Sequence, residues 1–395
     1  MPWKSCSIMQ SRQEFVRLAE QGGVSIAELC RRFGISRQTG HAYLRRHRAD
    51  GAAGLADRSR RPHNSPRQSG SAIEAEVAKL RREHPAWGGR KLARRLKDLG
   101  VADVPSPSTV TEILRRHGLL DPEEANKHKP LQCFERARPN ELWQMDFKGH
   151  FEIGDGRCHP LTVLDDHCRY SLGLVACGNE TSQTVRSQLT AIFRRYGMPE
   201  AMLTDNGSPW GGRNMGEYTA FEVWLMRLGV RLSHGRPYHP QTQGKDERFH
   251  RTLDVELLQA NRFADLAHCQ RAFDAWRRVY NEERPHEALG LAVPASRYSA
   301  SPTSFPERLP EPEYHAADLI RRVRHDGYVS FKGRKAKLSE AFAKHDVTFR
   351  PTAIDGVWEA FFMRFRVAKI DLRHKEPQSE TVRDVSEHLS GMSPV

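Results

Sequence analysis

In Ala201-Met202-Leu203-Thr204-Asp205-Asn206-Gly207-Ser208 a short apolar strand runs straight into an acidic turn, which puts a carboxylate at the end of a buried element. Upstream, Trp143-Gln144-Met145-Asp146-Phe147 carries a second carboxylate in mid-strand between apolar residues, where an unpaired charge is costly to bury. Downstream, the loop Pro237-Tyr238-His239-Pro240-Gln241-Thr242-Gln243-Gly244 leads into a helix with Glu247 in its first turn. If the two strands are neighbours and the helix packs across them, three carboxylates converge. Such a cluster repels itself unless a cation neutralises it. Hard oxygen ligands with water in the remaining positions select magnesium, with manganese as a substitute. Two such ions would clamp the attacking and leaving oxygens of an in-line phosphoryl displacement. No Ser/His/Asp or Cys/His pattern offers a covalent nucleophile.

The 395-residue chain is too long for one compact core, so several domains are expected. No apolar run approaches the ~20 residues of a membrane span. The opening Met1-Pro2-Trp3-Lys4-Ser5-Cys6 lacks the apolar stretch of a secretory signal, so the mature protein is expected to be cytosolic. Seven scattered cysteines without a C-x-x-C pair argue against a disulfide framework, and Cys158-His159 and His167-Cys168 lack zinc-ligand spacing. The net charge is +13, and its location is more informative than its size. Residues 1–140 hold 27 Lys and Arg against 15 Asp and Glu, a balance of +12, whereas the remainder holds 35 against 34. An excess confined to one third of the chain points to a nucleic-acid-binding arm.

That arm reads as helices. Ser25 with Glu28 three residues later forms a capping box for a helix through Phe33, Gly34 ends it, and Ser36 caps the next. Residues 1–53 thus have helix-turn-helix spacing, with Arg37, Gln38, Thr39, His41 and Arg45 on the helix that would enter a major groove. Residues 54–71 read as a basic linker whose Arg58, Arg60 and Arg61 could follow phosphates or a minor groove. Residues 72–120 repeat the helix-turn-helix pattern, with Ser108, Thr109, Thr111 and Arg115 on its recognition helix. A connector (121–140) precedes alternating strands and helices (141–298) that give a mixed sheet flanked by helices. A Pro-rich linker (299–313), a small β-barrel (314–375) and a disordered tail (376–395) complete the expected architecture. The fold class is therefore multidomain: all-α N-terminal units, an α/β core and a β C-terminal domain.

The ordered motifs Asp146, Thr204-Asp205-Asn206-Gly207-Ser208 and His239-Pro240-Gln241-Thr242-Gln243-Gly244-Lys245-Asp246-Glu247 resemble the catalytic core shared by retroviral integrases and bacterial insertion-sequence transposases. Tyr280-Asn281-Glu282-Glu283-Arg284-Pro285-His286-Glu287-Ala288-Leu289-Gly290 and Pro294-Ala295 resemble the segment that closes this core in the bacterial branch. The resemblance covers roughly residues 140–300. It implies an RNase H-like fold, the DDE mechanism and a metal-ligand role for Asp146, Asp205 and Glu247. It also implies that Asn206 and Gln243 line the site, while Lys245 and Arg251 are expected to touch DNA. The spacing from Asp205 to Glu247 is longer than is common in the family, and the excess falls in the glycine-rich Pro209–Tyr218. The expected activity is that of a transposase that binds the inverted ends of its element, nicks them and joins the 3′-ends to target DNA. Pairing of ends requires at least a homodimer. A DNA-binding regulator with an inactive core and a nuclease of the same fold are the competing readings. Asp165 and Asp166 are expected to shape a turn with Arg169, and His239 and His250 to meet DNA or solvent rather than metal.

Overall fold

The computed structural model describes residues 7–58, 69–120, 134–210, 217–234, 244–374, 378–382 and 393–394. Two compact units emerge, residues 1–68 and 69–395.

In the first unit, α1 (Ile8–Gln21), α2 (Ile26–Arg32) and α3 (Arg37–Asp50) enclose Phe15, Val16, Leu29, Cys30, Leu44 and Leu55. Serines cap all three helices: the Ser7, Ser25 and Ser36 hydroxyls accept from the amides of Gln10, Glu28 and Thr39. The reciprocal capping box lies at Ser7/Gln10 rather than at Ser25/Glu28. Glu28 instead binds Arg31 and Arg32, at 2.7 and 3.2 Å. Leu55, expected in the linker, is fully buried here, and its carbonyl accepts from Arg12 at 2.8 Å. The three helices cross closely at Gly40 of α3, where a Cβ would lie 2.5 Å from Cys30 Sγ and 2.9 Å from the Phe15 ring. Gly40→Val should therefore force these helices apart, at a cost of about 1–3 kcal/mol. Hydrogen exchange in the full chain should show faster exchange of α1–α3 only; unchanged protection there would refute the crossing.

The second unit begins with α4 (Ser71–Glu83), α5 (Gly89–Asp98) and α6 (Pro107–Arg116), packed through Val77, Trp87, Leu92, Leu96, Val110, Ile113 and Leu114. Ser106 is the cap of α6, accepting from the Thr109 amide at 3.3 Å. A two-residue strand, β1 (Phe134–Glu135), pairs with residues 393–394 and leads to the core. There the strands are β2 (Leu142–Phe147), β3 (Phe151–Ile153), β4 (Gly156–Asp165), β5 (Ser171–Cys177), β6 (Ala201–Thr204) and β7 (Arg231–His234). β4 pairs antiparallel with β2, β3 and β5, and β2, β6 and β7 run parallel. The strand bearing Asp146 ends at Phe147, and Gly149 at φ +88° turns the chain into β3.

One face of this sheet is covered by α7 (Ser182–Tyr196) and α8 (Ala220–Arg227), through Val185, Leu189, Phe193, Trp224 and Leu225 against Met145, Leu161, Val163 and Met202. On the other face lie α9 (Gly244–Leu253) and α10 (Leu266–Glu282), whose Phe249, Leu253, Phe273, Trp276 and Tyr280 bury against Leu164 and Leu174. Fully burying each such aliphatic or aromatic side chain stabilises by about 1.5–3 kcal/mol, so α9 is held to the sheet chiefly by its apolar face. The helix bearing Glu247 ends at Leu253 and continues as a π turn, Asp254–Leu258. The motif after α10 also closes the core by buried hydrogen bonds. Asn281 exchanges two bonds with the Ser171 backbone, at 2.8 and 3.0 Å, and Arg284 binds Glu256 at 2.9 Å.

The C-terminal domain is not a closed barrel. β8 (Leu319–Arg322), β11 (Asp346–Pro351), β12 (Val357–Phe362), β13 (Phe365–Asp371) and β14 (Gln378–Thr381) form an open antiparallel sheet in the order β14-β13-β12-β11-β8. β9 (Tyr328–Phe331) and β10 (Arg334–Lys337) pair with each other. Lys332 and Gly333 both take positive φ (48° and 76°), as a tight hairpin turn requires, and among the described residues β9 and β10 share no ladder with either edge of the sheet, although the Ser379 hydroxyl of β14 donates to the Lys337 carbonyl of β10 at 2.5 Å. Phe331, Phe349, Phe362 and Val367 fill the space between hairpin and sheet. β14 lies in the stretch expected to be a disordered tail, and the Val382 carbonyl accepts from the Tyr218 hydroxyl at 2.7 Å. No helix among the described residues is long and apolar enough to cross a membrane.

Candidate active site

Gln144 of β2 pairs in parallel register with Leu203 of β6. Asp146 and Asp205 each lie two residues further on, so both carboxylates emerge at the same edge of adjacent parallel strands. Crevices outside the carboxyl ends of such strands are the usual ligand sites of α/β sheets. Asp205 is fixed through one oxygen, Oδ1, which accepts from the Gly207 amide at 3.0 Å and from the Trp210 indole at 2.5 Å. Trp210 in turn stacks on Phe147, ring centroids 5.4 Å apart, so the neighbour of Asp146 helps to hold the partner of Asp205. The Asp205 carbonyl meets His234 Nδ1 at 2.8 Å. Trp143, Trp210 and Trp224 are all buried, as packing residues should be.

Burial, reinforced by the charges of Asp205, Glu180 and Glu247, pushes the Asp146 carboxyl up to about 7. Glu247 itself is exposed in the first turn of α9. Among the described residues no group of three or more His, Cys, Asp or Glu side chains is placed to hold a metal ion. The two strands thus juxtapose Asp146 and Asp205, and Glu247 acts on Asp146 through its charge.

His250 joins this site, contrary to the expectation that it meets DNA or solvent. The Thr162 hydroxyl donates to the Asp146 carbonyl at 2.9 Å, so His250 Nε2, also 2.9 Å from it, donates its proton to Thr162. Nδ1 is then an unprotonated acceptor 4.0 Å from Asp146 Oδ2. Burial, with Lys148 adding to it, pushes the imidazole down to about 4, which keeps it neutral. The sequence signal was present, since His250 lies three residues after Glu247 on the same helix. Nothing in the sequence marked Thr162 or the indole of Trp210.

Lys245 is buried, with its ammonium 2.5 Å from Asp166 Oδ1 and donating to the Asp166 carbonyl at 2.9 Å. It is an internal strut, where the sequence suggested a DNA contact. Asp166 also accepts from the Gln144 amide at 2.7 Å and the Arg136 backbone at 3.0 Å. Asp165 accepts from the amides of Asn140 and Cys168, at 2.7 and 2.9 Å, so both aspartates shape the turn after β4. Arg169 binds Glu135 at 2.5 Å and the carbonyls of Asp166 and His167, rather than either aspartate carboxylate. Asp246 is fully buried, its carboxyl raised by burial and by Asp146, and its Oδ1 has no hydrogen-bond partner among the described residues.

An Integrase core domain family matches residues 136–240, and a second Integrase core domain family matches 228–294. A Helix-turn-helix domain matches 11–63, a Homeodomain-like domain 39–114, and the IS481 family transposase C-terminal domain 318–378. The chain carries an integrase core and the C-terminal domain of insertion-sequence transposases. An uncharacterized 39.2 kDa protein of insertion element IS476 from Xanthomonas euvesicatoria is 29% identical over 69% of this chain and 78% of its own length. A 31.7 kDa protein of insertion element IS407 from Burkholderia multivorans is 26% identical over 61% and 88%. The HTLV-2 integrase catalytic core domain, solved in complex with magnesium, aligns at 17% identity and TM-score 0.32, covering 42% of this chain and all of that one.

On the first unit, Arg37, Gln38, His41 and Arg45 are exposed along α3. Thr39 is half-buried, with its hydroxyl 2.8 Å from that of Ser36. Arg58 binds Asp50 at 3.2 Å. On α6, Ser108 and Arg115 are exposed, although Arg115 is paired with Glu112. Thr109 and Thr111 spend their hydroxyls on Ser106 and the Pro107 carbonyl, both at 2.9 Å. Asn206 follows Asp205 with its side chain exposed, and Arg251 is exposed on α9. Arg60, Arg61, Gln243 and His239 lie outside the described residues.

Proposed function

We propose that the chain binds the inverted ends of its insertion sequence through its two helix-turn-helix units, cleaves their 3′-ends and joins them to target DNA. The observation that carries this reading is the pairing of Asp146 and Asp205 at one edge of parallel strands, with Glu247 charge-coupled to Asp146. A carboxyl raised first by burial and then by its acidic neighbours is one whose charge a bound cation would neutralise. Asp146, Asp205 and Glu247 are the residues that would hold magnesium, as two ions, with manganese able to replace it. Bound there, the cations would activate the attacking oxygen and stabilise the leaving one. The protein's own groups set the geometry: Trp210 and Gly207 orient Asp205, Thr162 and His250 flank Asp146, and Arg251 faces the phosphates. Double-stranded DNA is the partner, as element ends and as target, and at least a homodimer would pair the two ends. The reaction would take place at the bacterial nucleoid.

The test is cleavage and strand transfer by purified full-length protein on labelled DNA flanking its gene, with magnesium and with EDTA. Cation-dependent products support the reading. Binding without products under both conditions would favour a regulator, and equal cutting of unrelated DNA a nuclease.

A pH dependence follows from Asp146. Its folded-state carboxyl titrates at about 7, above the usual 3.8, so its contribution to stability is full below the lower value and is lost as pH rises through the higher one. Divalent cations compete with that proton. Manganese should therefore raise the melting temperature more at pH 8 than at pH 6, with about tenfold tighter binding once the carboxyl is ionised. Equal metal-induced shifts at the two pH values would remove Asp146 from the ligand set.

A further inference from the structure

Helix α5 turns a charged face toward the end of α10 and the π turn. Arg95 binds Glu283 at 2.5 Å, with both side chains largely buried, and Arg90 lies 3.7 Å from Glu287. Lys91 is buried between them. Burial and Arg284 push its ammonium down to about 8, against the opposing pull of Glu256 and Glu287. Val279 of α10 packs directly into the core of the α4–α6 bundle. Glu256 belongs to the π turn that continues α9, the helix bearing Glu247, and it is locked by Arg284. Helix α5, which packs on the recognition helix α6 through Leu92 and Leu96, and the turn that continues the catalytic helix are thereby tied to one set of side chains. Ion pairs alone at an exposed surface would contribute little. Here the Arg95–Glu283 pair is partly buried, whereas Arg90–Glu287 is exposed, and the apolar packing of Val279 beside the buried pair holds the two parts in one register.

We propose that this interface is a ruler: it fixes α6 relative to the catalytic core, so that the base pairs read by α6 select which phosphodiester is cleaved. Arg95 and Glu283 are then specificity-determining residues that never touch the reacting atoms. The inference rests on the DNA-cleaving function proposed above and adds to it a physical origin for cleavage position.

The experiment uses the full chain and end DNA, with Glu283→Arg, Arg95→Glu and the double exchange. Each single change sets like charges against each other across a partly buried face, and the exchange restores opposite signs. A photo-crosslinking residue at position 152, on β3 and far from the charged face in sequence, reports where the core touches the duplex without requiring catalysis. DNA affinity should change by no more than about threefold in the single variants, because in the proposal neither residue touches the DNA and one altered charge acts on it only through screened solvent. Cleavage and crosslinks should be confined to one position in wild type, spread over several in each single variant, and refocus in the double variant. Cleavage and crosslink positions unchanged in both single variants would overturn the ruler. Focused wild-type crosslinks without cleavage would defeat the catalytic reading alone, because the crosslink series still tests the register. If a single variant fails to fold, Glu283→Gln, which removes the pair without repulsion, is expected to broaden the crosslink pattern, and an unbroadened pattern counts against the proposal.

Discussion

Asp146→Asn is expected to abolish end cleavage and strand transfer while leaving end binding intact. The amide keeps the size of the side chain and removes the charge that a cation needs. Ligated cations supply several kcal/mol of transition-state stabilisation, and each ~1.4 kcal/mol is tenfold in rate, so the loss should reach roughly 10³-fold or more. The same substitution should have the opposite sign on stability. In the absence of divalent cations at pH 8, an ionised Asp146 is held among Asp205, Glu180 and Glu247, and the fold bears that repulsion. The asparagine variant should therefore melt above wild type in EDTA, and the difference should vanish when saturating manganese stabilises only the wild type. Such a trade of stability against function is common where like charges are concentrated for chemistry. A variant that cleaves within about tenfold of wild type would take Asp146 out of the site, whatever its melting temperature.

The second large effect is expected at Lys245. Its ammonium is buried against Asp166, which also holds Gln144, two residues before Asp146, while Lys245 itself lies two residues before Glu247. The pair therefore fastens the start of α9 to β2. Lys245→Met leaves the Asp166 charge without its cationic partner, and breaking one side of a buried pair costs about 3–5 kcal/mol. Replacing both partners, as Asp166→Asn with Lys245→Met, should recover a large part of that loss, because no uncompensated charge remains. Denaturant unfolding of the two variants is the measurement. A loss below about 1 kcal/mol for Lys245→Met would place the ammonium outside, where it could serve DNA after all. Activity adds a second sign: the double variant should be more stable than the single one yet still slow, since the tie holding Glu247 is gone in both.

Much of this protein could be read without coordinates. Helix starts were legible because a serine hydroxyl meets an amide three residues on, a purely local bond, and Ser25 and Ser36 both cap as the sequence suggests. The strands bearing Asp146 and leading into Asp205 were legible from apolar runs, and Trp143, Trp210 and Trp224 lie in the core as their surroundings implied. The charge asymmetry marked the helical arm.

What escaped was decided by choices between partners. Glu28 could complete a capping box or bind arginines one turn away, and it took the arginines. Lys245 looked like one more cation for phosphate, but α9 rotates it inward onto Asp166. The barrel expected at the C-terminus is not closed because the β9–β10 hairpin forms no ladder with either sheet edge among the described residues, and a strand where disorder was expected extends the sheet instead. Sequence alone determined which residues carry charge, where helices begin and which carboxylates end buried strands, because these depend on neighbours a few positions apart. Only the tertiary structure decided that Asp146 and Asp205 stand side by side, that His250 faces them and that α5 is tied to α10, because burial makes distant groups compete for the same few partners.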